Sequence, residues 1–330
     1  MEIIPTISVS AVITVYNPEQ FYFEKAVSSV LTQSYGVKEL VLVNDGGTES
    51  YREWLPDDRR VKCYTRMNGG VAAARNFAIQ QCTGEYIAFL DQDDFWYPDK
   101  LHLQTAMLQD SEKLCVILSS ADIVGEDDEV LVLQGRESKK NRFLQTTPDT
   151  LLFQLAFENF IYSSTPLFHR EVFSITGGFD PYTQPHDDWD IYLRIALAGI
   201  PFYCYKEKPL SVWRVHKSNA SKNNRKMIQS KCRVEKKILQ MSIPPALRSL
   251  LRTNLGIDNL RRLQLIYKTQ RYACFRKLLC RYLIEVRDYV STEELTDIQA
   301  YRAQKDRVRK LVMKSCLRYV LSWYMQIVKK

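Results

Sequence analysis

The sequence lacks the marks of several protein classes. Its eight cysteines are scattered from Cys63 to Cys316, with no CxxC pair and no Cys-His cluster at metal-ligand spacing. This pattern argues against a disulfide scaffold and favours a reducing compartment. No run of about 18 apolar residues occurs, and residues 1–5 contain no Lys or Arg, so neither a membrane-spanning helix nor a signal peptide is predicted. We therefore expect a cytoplasmic protein.

Composition excludes further classes, and the charge divides the chain in two. Of the 330 residues, 45% are hydrophobic and 25% are charged, which excludes disorder, collagen-like repeats and low complexity as the main theme. A single hydrophobic core rarely grows further at this chain length, so we expect one large domain and a smaller additional region. Residues 217–330 hold 27 Lys plus Arg against 8 Asp plus Glu, a net of +19, whereas residues 1–216 net −11. The acidic part argues against a nucleic-acid enzyme, and the basic part could serve a membrane surface, an anionic ligand or solvation.

Strands alternate with helices over the first hundred residues. The predicted strands are 7–15, 39–43, 61–64 and 85–90, and the predicted helices are 19–34, 71–79 and 98–108. This alternation predicts an α/β fold in which helices flank a mostly parallel sheet. Ligands of such sheets bind beyond the carboxyl ends of the strands. The segments that follow the strands, 14–17, 44–47 and 91–94, are therefore candidate ligand-binding loops.

The loop after the fourth strand is strongly acidic. Asp91, Asp93 and Asp94 lie within four residues, and their charges repel one another unless something positive lies between them. Mg²⁺ or Mn²⁺ would suit these hard oxygen ligands and could bridge to phosphate. The alternative is a solvated acidic turn, with Asp94 capping the helix that begins near Pro98.

A series of short motifs follows along residues 6–216. They are VITVYN (12–17), VNDG (43–46), NGGVAAARN (68–76), GEYIAFLDQDD (84–94), GGFD (177–180), DDWDIYLR (187–194) and WRVH (213–216). In this order they resemble the family 2 glycosyltransferases of the GT-A fold, and the ordered set is more specific than any one motif. The resemblance implies a catalytic domain at 1–216 with a Rossmann-like mixed sheet. Residues 217–330 are then a helical, basic C-terminal region.

The resemblance implies an inverting transferase that moves a sugar from a nucleotide-diphosphate donor, with UDP the usual nucleotide. The acceptor would be a hydroxyl of a glycan or lipid-linked glycan in bacterial surface polysaccharide biosynthesis. The donor-binding residues would be Thr14, Tyr16, Asn17, Asp45, Arg75, Asp91 and Asp93. A carboxylate such as Asp45 suits a nucleobase N–H, because a charged acceptor strengthens the hydrogen bond. The alternative for Arg75 is a surface arginine in an ordinary ion pair.

The resemblance also implies a divalent cation, Mn²⁺ or Mg²⁺. Asp93 would be its direct ligand, His216 would reach the metal or the diphosphate, and Asp91 would lie nearer the ribose or the metal's waters. A structural role is the alternative for His216. Arg214 is a weaker candidate for the diphosphate.

The motif at 187–194 supplies the candidate base. Inverting displacement at an anomeric carbon requires a group that takes the acceptor hydroxyl's proton, and the resemblance assigns this role to Asp188. Burial should raise its pKa and the helix dipole should hold it down. Asp187, Trp189 and Gly178 would lie on the acceptor side. The alternative is that Asp187 or Asp188 only caps the following helix.

The C-terminal region ends in a predicted amphipathic helix. Its polar stripe comprises Arg307, Lys310, Lys314, Arg318, Ser322 and Gln326. The other faces are apolar and include Trp323, which is typical of a helix at an anionic membrane surface. We therefore predict peripheral association with the inner face of the plasma membrane, and packing against the catalytic domain or another subunit is the alternative.

Two other functions compete with a transferase. A sugar nucleotidyltransferase should carry a Gly-rich loop after the first strand, and residues 14–18 contain no glycine. A non-catalytic, membrane-docked glycan- or nucleotide-binding module would not need to retain Asp45, Asp91, Asp93 and Asp188 together. Both alternatives are disfavoured.

Overall fold

A computed structural model of the chain describes residues 7–109, 113–131, 143–144 and 146–268. The chain divides into two compact units, Met1–Ala220 and Ser221–Lys330. The predicted amphipathic stripe at 307–326 lies outside the described residues. Within the described ranges, no helix is both long and apolar enough to cross a membrane.

The strands of the first unit form two sheets in its described part. They are β1 (Val9–Val15), β2 (Glu39–Asn44), β3 (Val61–Thr65), β4 (Tyr86–Asp91), β5 (Phe95–Trp96), β6 (Val116–Ser119), β7 (Ala121–Val124), β8 (Leu167–His169), β9 (Phe202–Tyr205) and β10 (Ser211–Arg214). The larger sheet has the order β3-β2-β1-β4-β8-β6-β9, and the smaller has the order β5-β10-β7. In the larger sheet β8 is antiparallel to β4 and β6, and the other neighbours are parallel. The predicted mostly parallel sheet is confirmed.

Helices connect and cover these strands. In the first unit they are α1 (Gln20–Leu31), α2 (Val71–Gln81), α3 (Lys100–Ala106), α4 (Pro148–Phe157), α5 (Glu171–Thr176) and α6 (Asp187–Leu197). In the second unit α7 (Asn224–Leu239) packs against α8 (Pro245–Lys268). The predicted helices at 19–34, 71–79 and 98–108 correspond to α1, α2 and α3. Their ends differ by a few residues.

The core lies around the central strands. Every residue of β2 is buried, and only Thr14 of β1 is partly exposed. Strands covered on both faces read as continuous apolar runs, as these two do. α1 buries Phe23, Ala26, Val27 and Val30, whose spacing of three and four residues forms one stripe.

Strand register aligns the ends that carry polar residues. Thr14 lies opposite both Val43 of β2 and Asp91 of β4. The three parallel strands therefore end together at one edge of the sheet. In the smaller sheet β5 follows β4 closely in the chain. β10 runs antiparallel to β5, with Ser211 opposite Trp96. The residues after β10 consequently return beside the loop that precedes β5.

Candidate active site

Asp45 is buried at the end of β2 and is bound by the loop that leads into α2. Its carboxylate accepts hydrogen bonds from the backbone N–H of Gly70 at 2.7 Å and of Gly69 at 3.1 Å, and it pairs with Arg66. Gly70 has φ +86°, and a Cβ there would lie 2.5 Å from Oε1 of Gln184. Only glycine fits that turn. Asp45 thus orders the Gly69–Gly70 turn, and its contact with a nucleobase stays a prediction.

The residues after β1 are held by two side-chain amides. The backbone N–H of Tyr16 donates to Oε1 of Gln92 at 2.8 Å, and Nε2 of Gln92 returns a bond to the Tyr16 carbonyl at 3.2 Å. Asn17 has φ +43° and accepts a bond from the Thr48 N–H at 2.9 Å. The Tyr16 side chain is 52% exposed, while Thr14 is partly buried. An exposed ring on a fixed backbone suits stacking against a planar ligand such as a base.

Arg75 is a buried ion-pairing residue rather than a surface arginine. It lies on α2 with 4% exposure, and its guanidinium bonds Asp91 Oδ1 at 2.7 Å and Asp187 Oδ2 at 3.1 Å. The ring of Phe179 lies 5.3 Å from the guanidinium carbon. Arg75 therefore connects the end of β4 to the start of α6. The first of these segments is predicted to bind the donor, and the second is predicted to lie on the acceptor side.

Asp93 and His216 are in direct contact. Nε2 of His216 lies 2.6 Å from Oδ2 of Asp93, and Nδ1 of His216 lies 2.8 Å from the Ser218 hydroxyl. A carboxylate oxygen is a ligand that Mn²⁺ and Mg²⁺ favour, whereas an imidazole nitrogen is more typical of transition metals. No group of three His, Cys, Asp or Glu residues in the described ranges could hold a metal by itself. A metal held by Asp93 and His216 stays a prediction, and it would need further ligands from the donor or from water.

Asp91, the third predicted metal residue, is engaged elsewhere. Its Oδ1 accepts from Arg75 and its Oδ2 accepts from the Ser163 hydroxyl at 2.6 Å. This arrangement suits a role in ordering the site. A metal contact by Asp91 stays a prediction.

The alternative in which Asp94 caps the next helix is wrong. The residue that precedes α3 is Asp99, whereas Asp94 is buried and accepts from the Ser164 hydroxyl at 2.6 Å and the Arg214 N–H at 2.9 Å. Burial, followed by the charges of Asp93 and Asp91, raises the pKa of Asp94 well above its ordinary range. Asp94 thus fastens β10 to the acidic loop.

Arg214, the weaker diphosphate candidate, is completely buried. Its guanidinium donates to the Asp93 carbonyl at 3.1 Å and the Gly125 carbonyl at 3.1 Å, and it pairs with Asp128 at 2.6 Å. The guanidinium carbon also lies 4.3 Å from the ring of Tyr22. These contacts support the backbone of Asp93, so Arg214 contributes to the site by holding Asp93 in position.

Two adjacent aspartates begin α6, and their partners differ. Asp187 is 2% exposed; burial raises its pKa and Arg75 opposes the rise. Asp188 is partly buried. Its Oδ1 accepts from the Trp189 N–H at 2.7 Å and its Oδ2 accepts from Nδ2 of Asn159 at 3.0 Å. Burial, and then the charge of Asp187, raise the pKa of Asp188 to about 7. A carboxyl group near neutrality can take and release a proton at physiological pH.

The other two predicted acceptor-side residues have structural contacts. Trp189 is fully buried, and its indole N–H donates to the Leu155 carbonyl at 2.7 Å. A Cβ on Gly178 would lie 2.2 Å from Oδ1 of Asn76. The missing side chain of Gly178 therefore makes room for Asn76.

Six residues that order the site lie outside the predicted set. Arg66, Asn159, Ser163 and Ser164 bond aspartates, Gln92 bonds the Tyr16 backbone, and Gln184 lies beside Gly70. None belongs to a motif quoted above except Gln92, which lies between Asp91 and Asp93. The pairs Asn159–Asp188 and Ser163–Asp91 join residues 29 and 72 positions apart, so no local pattern reveals them.

Comparison with known proteins supports the same family. The sequence of residues 10–173 matches the protein family described as "Glycosyl transferase family 2". TuaG of Bacillus subtilis, whose name assigns it to teichuronic acid biosynthesis, is 30% identical over 223 residues, which cover 65% of this chain and 82% of TuaG. An uncharacterized glycosyltransferase of Rickettsia conorii is 38% identical over 106 residues, which cover 31% of this chain but only 17% of that protein.

Solved structures agree with the fold. The structure of S. aureus TarS residues 1–349 in complex with UDP-GlcNAc has a TM-score of 0.60 and 18% identity, and the match covers 85% of this chain and 82% of that one. The sheet order, the ordered motifs and the match across most of TuaG lead to one assignment. The chain belongs to glycosyltransferase family 2.

Proposed function

We propose that this protein is an inverting glycosyltransferase that moves a sugar from a UDP-sugar donor to a hydroxyl of a glycan or lipid-linked glycan. The observation that carries the proposal is Asp188, a carboxyl group with a pKa of about 7 at the start of α6. Through its neighbour Asp187, the ion pairs of Arg75 link it to the donor-side Asp91. A base next to a candidate nucleotide site is what glycosyl transfer requires.

The ionised Asp188 would act as the base. The acceptor oxygen attacks the anomeric carbon as the bond from that carbon to the diphosphate oxygen breaks, and the hydroxyl proton passes to a carboxylate oxygen of Asp188. Attack from the face opposite the leaving group inverts the configuration. A base whose pKa lies near the operating pH balances proton affinity against the fraction ionised.

The leaving diphosphate would bind at the other end of the site. Asp93 and His216 are the residues that would hold Mn²⁺ or Mg²⁺, and the bound ion would neutralise charge on the diphosphate. Arg214 donates a hydrogen bond to the Asp93 carbonyl, which supports the backbone that carries the Asp93 side chain. The exposed Tyr16 ring and the ordered Asp45 turn would receive the nucleoside.

The relatives support the choice of substrates. TuaG is named for the biosynthesis of teichuronic acid, a cell-surface polysaccharide, and TarS was crystallised with UDP-GlcNAc. We accordingly place the protein in surface polysaccharide biosynthesis. The matched region is a small part of the Rickettsia conorii protein, so that relative adds no information on substrates.

The basic C-terminal region would bring the enzyme to its acceptor. Residues 217–330 carry a net charge of +19, and Lys222, Arg225 and Lys226 are exposed near the start of α7. Each basic residue near an anionic bilayer contributes about 1 kcal/mol. A lipid-linked glycan acceptor would be available at that surface.

Product analysis tests the proposal. The purified protein would be incubated with Mn²⁺, a panel of UDP-sugars and lipid-linked or free oligosaccharides, and UDP release would be followed. We expect release that depends on the acceptor, and a product whose anomeric configuration, read from NMR couplings, is opposite to that of the donor. A product that keeps the donor's configuration would contradict the single-displacement mechanism.

A further inference from the structure

Asn159 is the only residue outside α6 for which the described structure gives a side-chain hydrogen bond to Asp188. It lies in the segment between α4 and β8 and is partly buried. Its Nδ2 donates to Oδ2 of Asp188 at 3.0 Å. Four residues earlier, near the end of α4, the Leu155 carbonyl accepts the indole N–H of Trp189 at 2.7 Å. Two bonds thus fix the end of α4 and the residues after it against the first turn of α6.

The orientation of the Asn159 amide follows from its neighbour. Oδ1 of Asn159 accepts a bond from the backbone N–H of Ile161 at 3.2 Å. A backbone N–H can only donate, so the amide oxygen must face Ile161. The NH₂ group must then face Asp188. Asn159 consequently presents a donor to the carboxylate, which favours the ionised form.

The groups around Asp188 act in opposite directions. Burial and the adjacent Asp187 disfavour its charge, while the guanidinium of Arg75 on α2 and the N–H groups of Trp189 and Asn159 favour it. Tyr192, one turn further along α6, and Asp91 at the end of β4 also lie in this electrostatic neighbourhood. Among the described groups that favour the charge, Asn159 is the one that is both neutral and a side chain. It can therefore be changed without altering the ion pairs of Arg75.

We propose that Asn159 is a positioning residue that orients the Asp188 carboxylate and keeps it ionised for its role as base. The inference rests on the proposed function of Asp188. Asn159 bonds one carboxylate oxygen and the backbone of Trp189 bonds the other. The carboxylate plane is thereby fixed, and the remaining lone pairs of both oxygens are left for the acceptor hydroxyl.

Asn159→Asp is the sharpest substitution. It keeps nearly the same shape and retains an oxygen for the Ile161 N–H, but it replaces the donor to Asp188 with a second carboxylate. Asn159→Ala removes the donor without adding charge and serves as a second variant. Gln80→Ala, which removes an exposed carboxamide from α2, is the matched control.

The titration of Asp188 is measured directly in the full chain. Protein labelled with ¹³C at aspartate carboxyl carbons would be titrated by NMR from about pH 5 to 9, with Asp188→Asn used to assign the signal. We expect Asn159→Asp to raise the midpoint by at least about 1 pH unit and Asn159→Ala to raise it less. Gln80→Ala should leave it unchanged. An unchanged midpoint in Asn159→Asp, with the protein folded, would overturn the inference.

The pH profile of acceptor-dependent UDP release separates this inference from the function on which it rests. The acid limb of kcat/KM should move upward with the NMR midpoint in both Asn159 variants. A shifted NMR midpoint with an unmoved acid limb would leave the hydrogen-bond effect standing but would contradict Asp188 as base. An NMR midpoint that does not move overturns the Asn159 inference, whatever happens to the rate.

Discussion

The carboxylates at the two ends of the site have different kinds of partners. At the strand ends, Asp45, Asp91 and Asp93 each contact a cationic or imidazole side chain, namely Arg66, Arg75 and His216. At the start of α6, the hydrogen bonds that Asp188 accepts from described residues come from the neutral N–H groups of Trp189 and Asn159. Cationic partners suit the binding of a charged donor, whereas neutral partners leave a carboxyl group able to exchange a proton.

The same difference separates two neighbours in sequence. Asp187 faces Arg75 at 3.1 Å, and Asp188, one residue later, does not pair with it. Successive residues of a helix point about 100° apart because each turn holds 3.6 residues. One aspartate therefore completes the buried ion pairs, and the next bonds Asn159 instead.

The largest expected effect comes from removing the base. Asp188→Asn keeps the size of the side chain but cannot take a proton at neutral pH, so we expect kcat to fall by about 10³-fold. Nucleotide affinity, measured by calorimetry, should stay within about twofold because the strand-end residues are untouched. Lost donor affinity with unchanged turnover would assign Asp188 to the other end of the site.

The next effect tests the strand ends. Asp93→Ala removes the carboxylate that contacts His216, so the metal-dependent part of nucleotide binding should be lost and turnover should fall by about 10²-fold. The pH dependence of any residual turnover should not change, since Asp188 is intact. Turnover equal to that of the unaltered protein would contradict the assignment of Asp93 to the metal.

The acceptor-side assignment also predicts a pH dependence. Because the pKa of Asp188 is about 7, kcat/KM should fall about tenfold for each pH unit below that value and level off above it. A flat profile between pH 5.5 and about 8 would show that no group with this pKa limits the reaction.

A smaller effect on stability follows from the same carboxyl group. The pKa of Asp188 is higher in the folded protein than the ordinary aspartate value of 3.8, so the folded state binds its proton more tightly than the unfolded state. Stability is therefore lost as pH rises from about 4 through 7. Asp188→Asn should be more stable than the unaltered protein at pH 8 by about 1 kcal/mol, since partial exposure weakens the effect. Urea denaturation at pH 8 and pH 4.5 should show that this gain disappears in acid.

The least effect on chemistry is expected from the C-terminal region. Removing residues 301–330 deletes the predicted amphipathic stripe and should release the protein from vesicles that contain anionic lipid. Transfer to a water-soluble acceptor should be unchanged. Continued binding of the truncated protein at physiological salt would move the membrane contact to another basic segment.

The sequence predicted the first half of the larger sheet because its signals are local. β1, β2 and β4 are apolar runs that end in polar loops, and α1 to α3 show helical spacing. The short strands β6, β8 and β9 have three or four residues each, too few for periodicity to distinguish them. Their place in the sheet is set by tertiary packing.

In the candidate site, too, the residues within local motifs were predicted, and the contacts between distant segments were not. Asp91, Asp93, Asp188 and His216 stand in motifs, and the structure brings Asp93 to His216. The burial of Arg214 and the contacts of Asn159 and Ser163 depend on segments far apart in the chain. Residue type alone could not show that Arg75 would be buried, because arginine is usually exposed.

Calorimetric titration with UDP, GDP, CDP and dTDP, each with and without Mn²⁺, tests the central claim most directly. We predict that UDP binds tightly only when Mn²⁺ is present and that the other nucleotides bind at least about tenfold more weakly, a difference of about 1.4 kcal/mol. Failure of all four nucleotides to bind would contradict the donor site at the strand ends and, with it, the proposed glycosyl transfer.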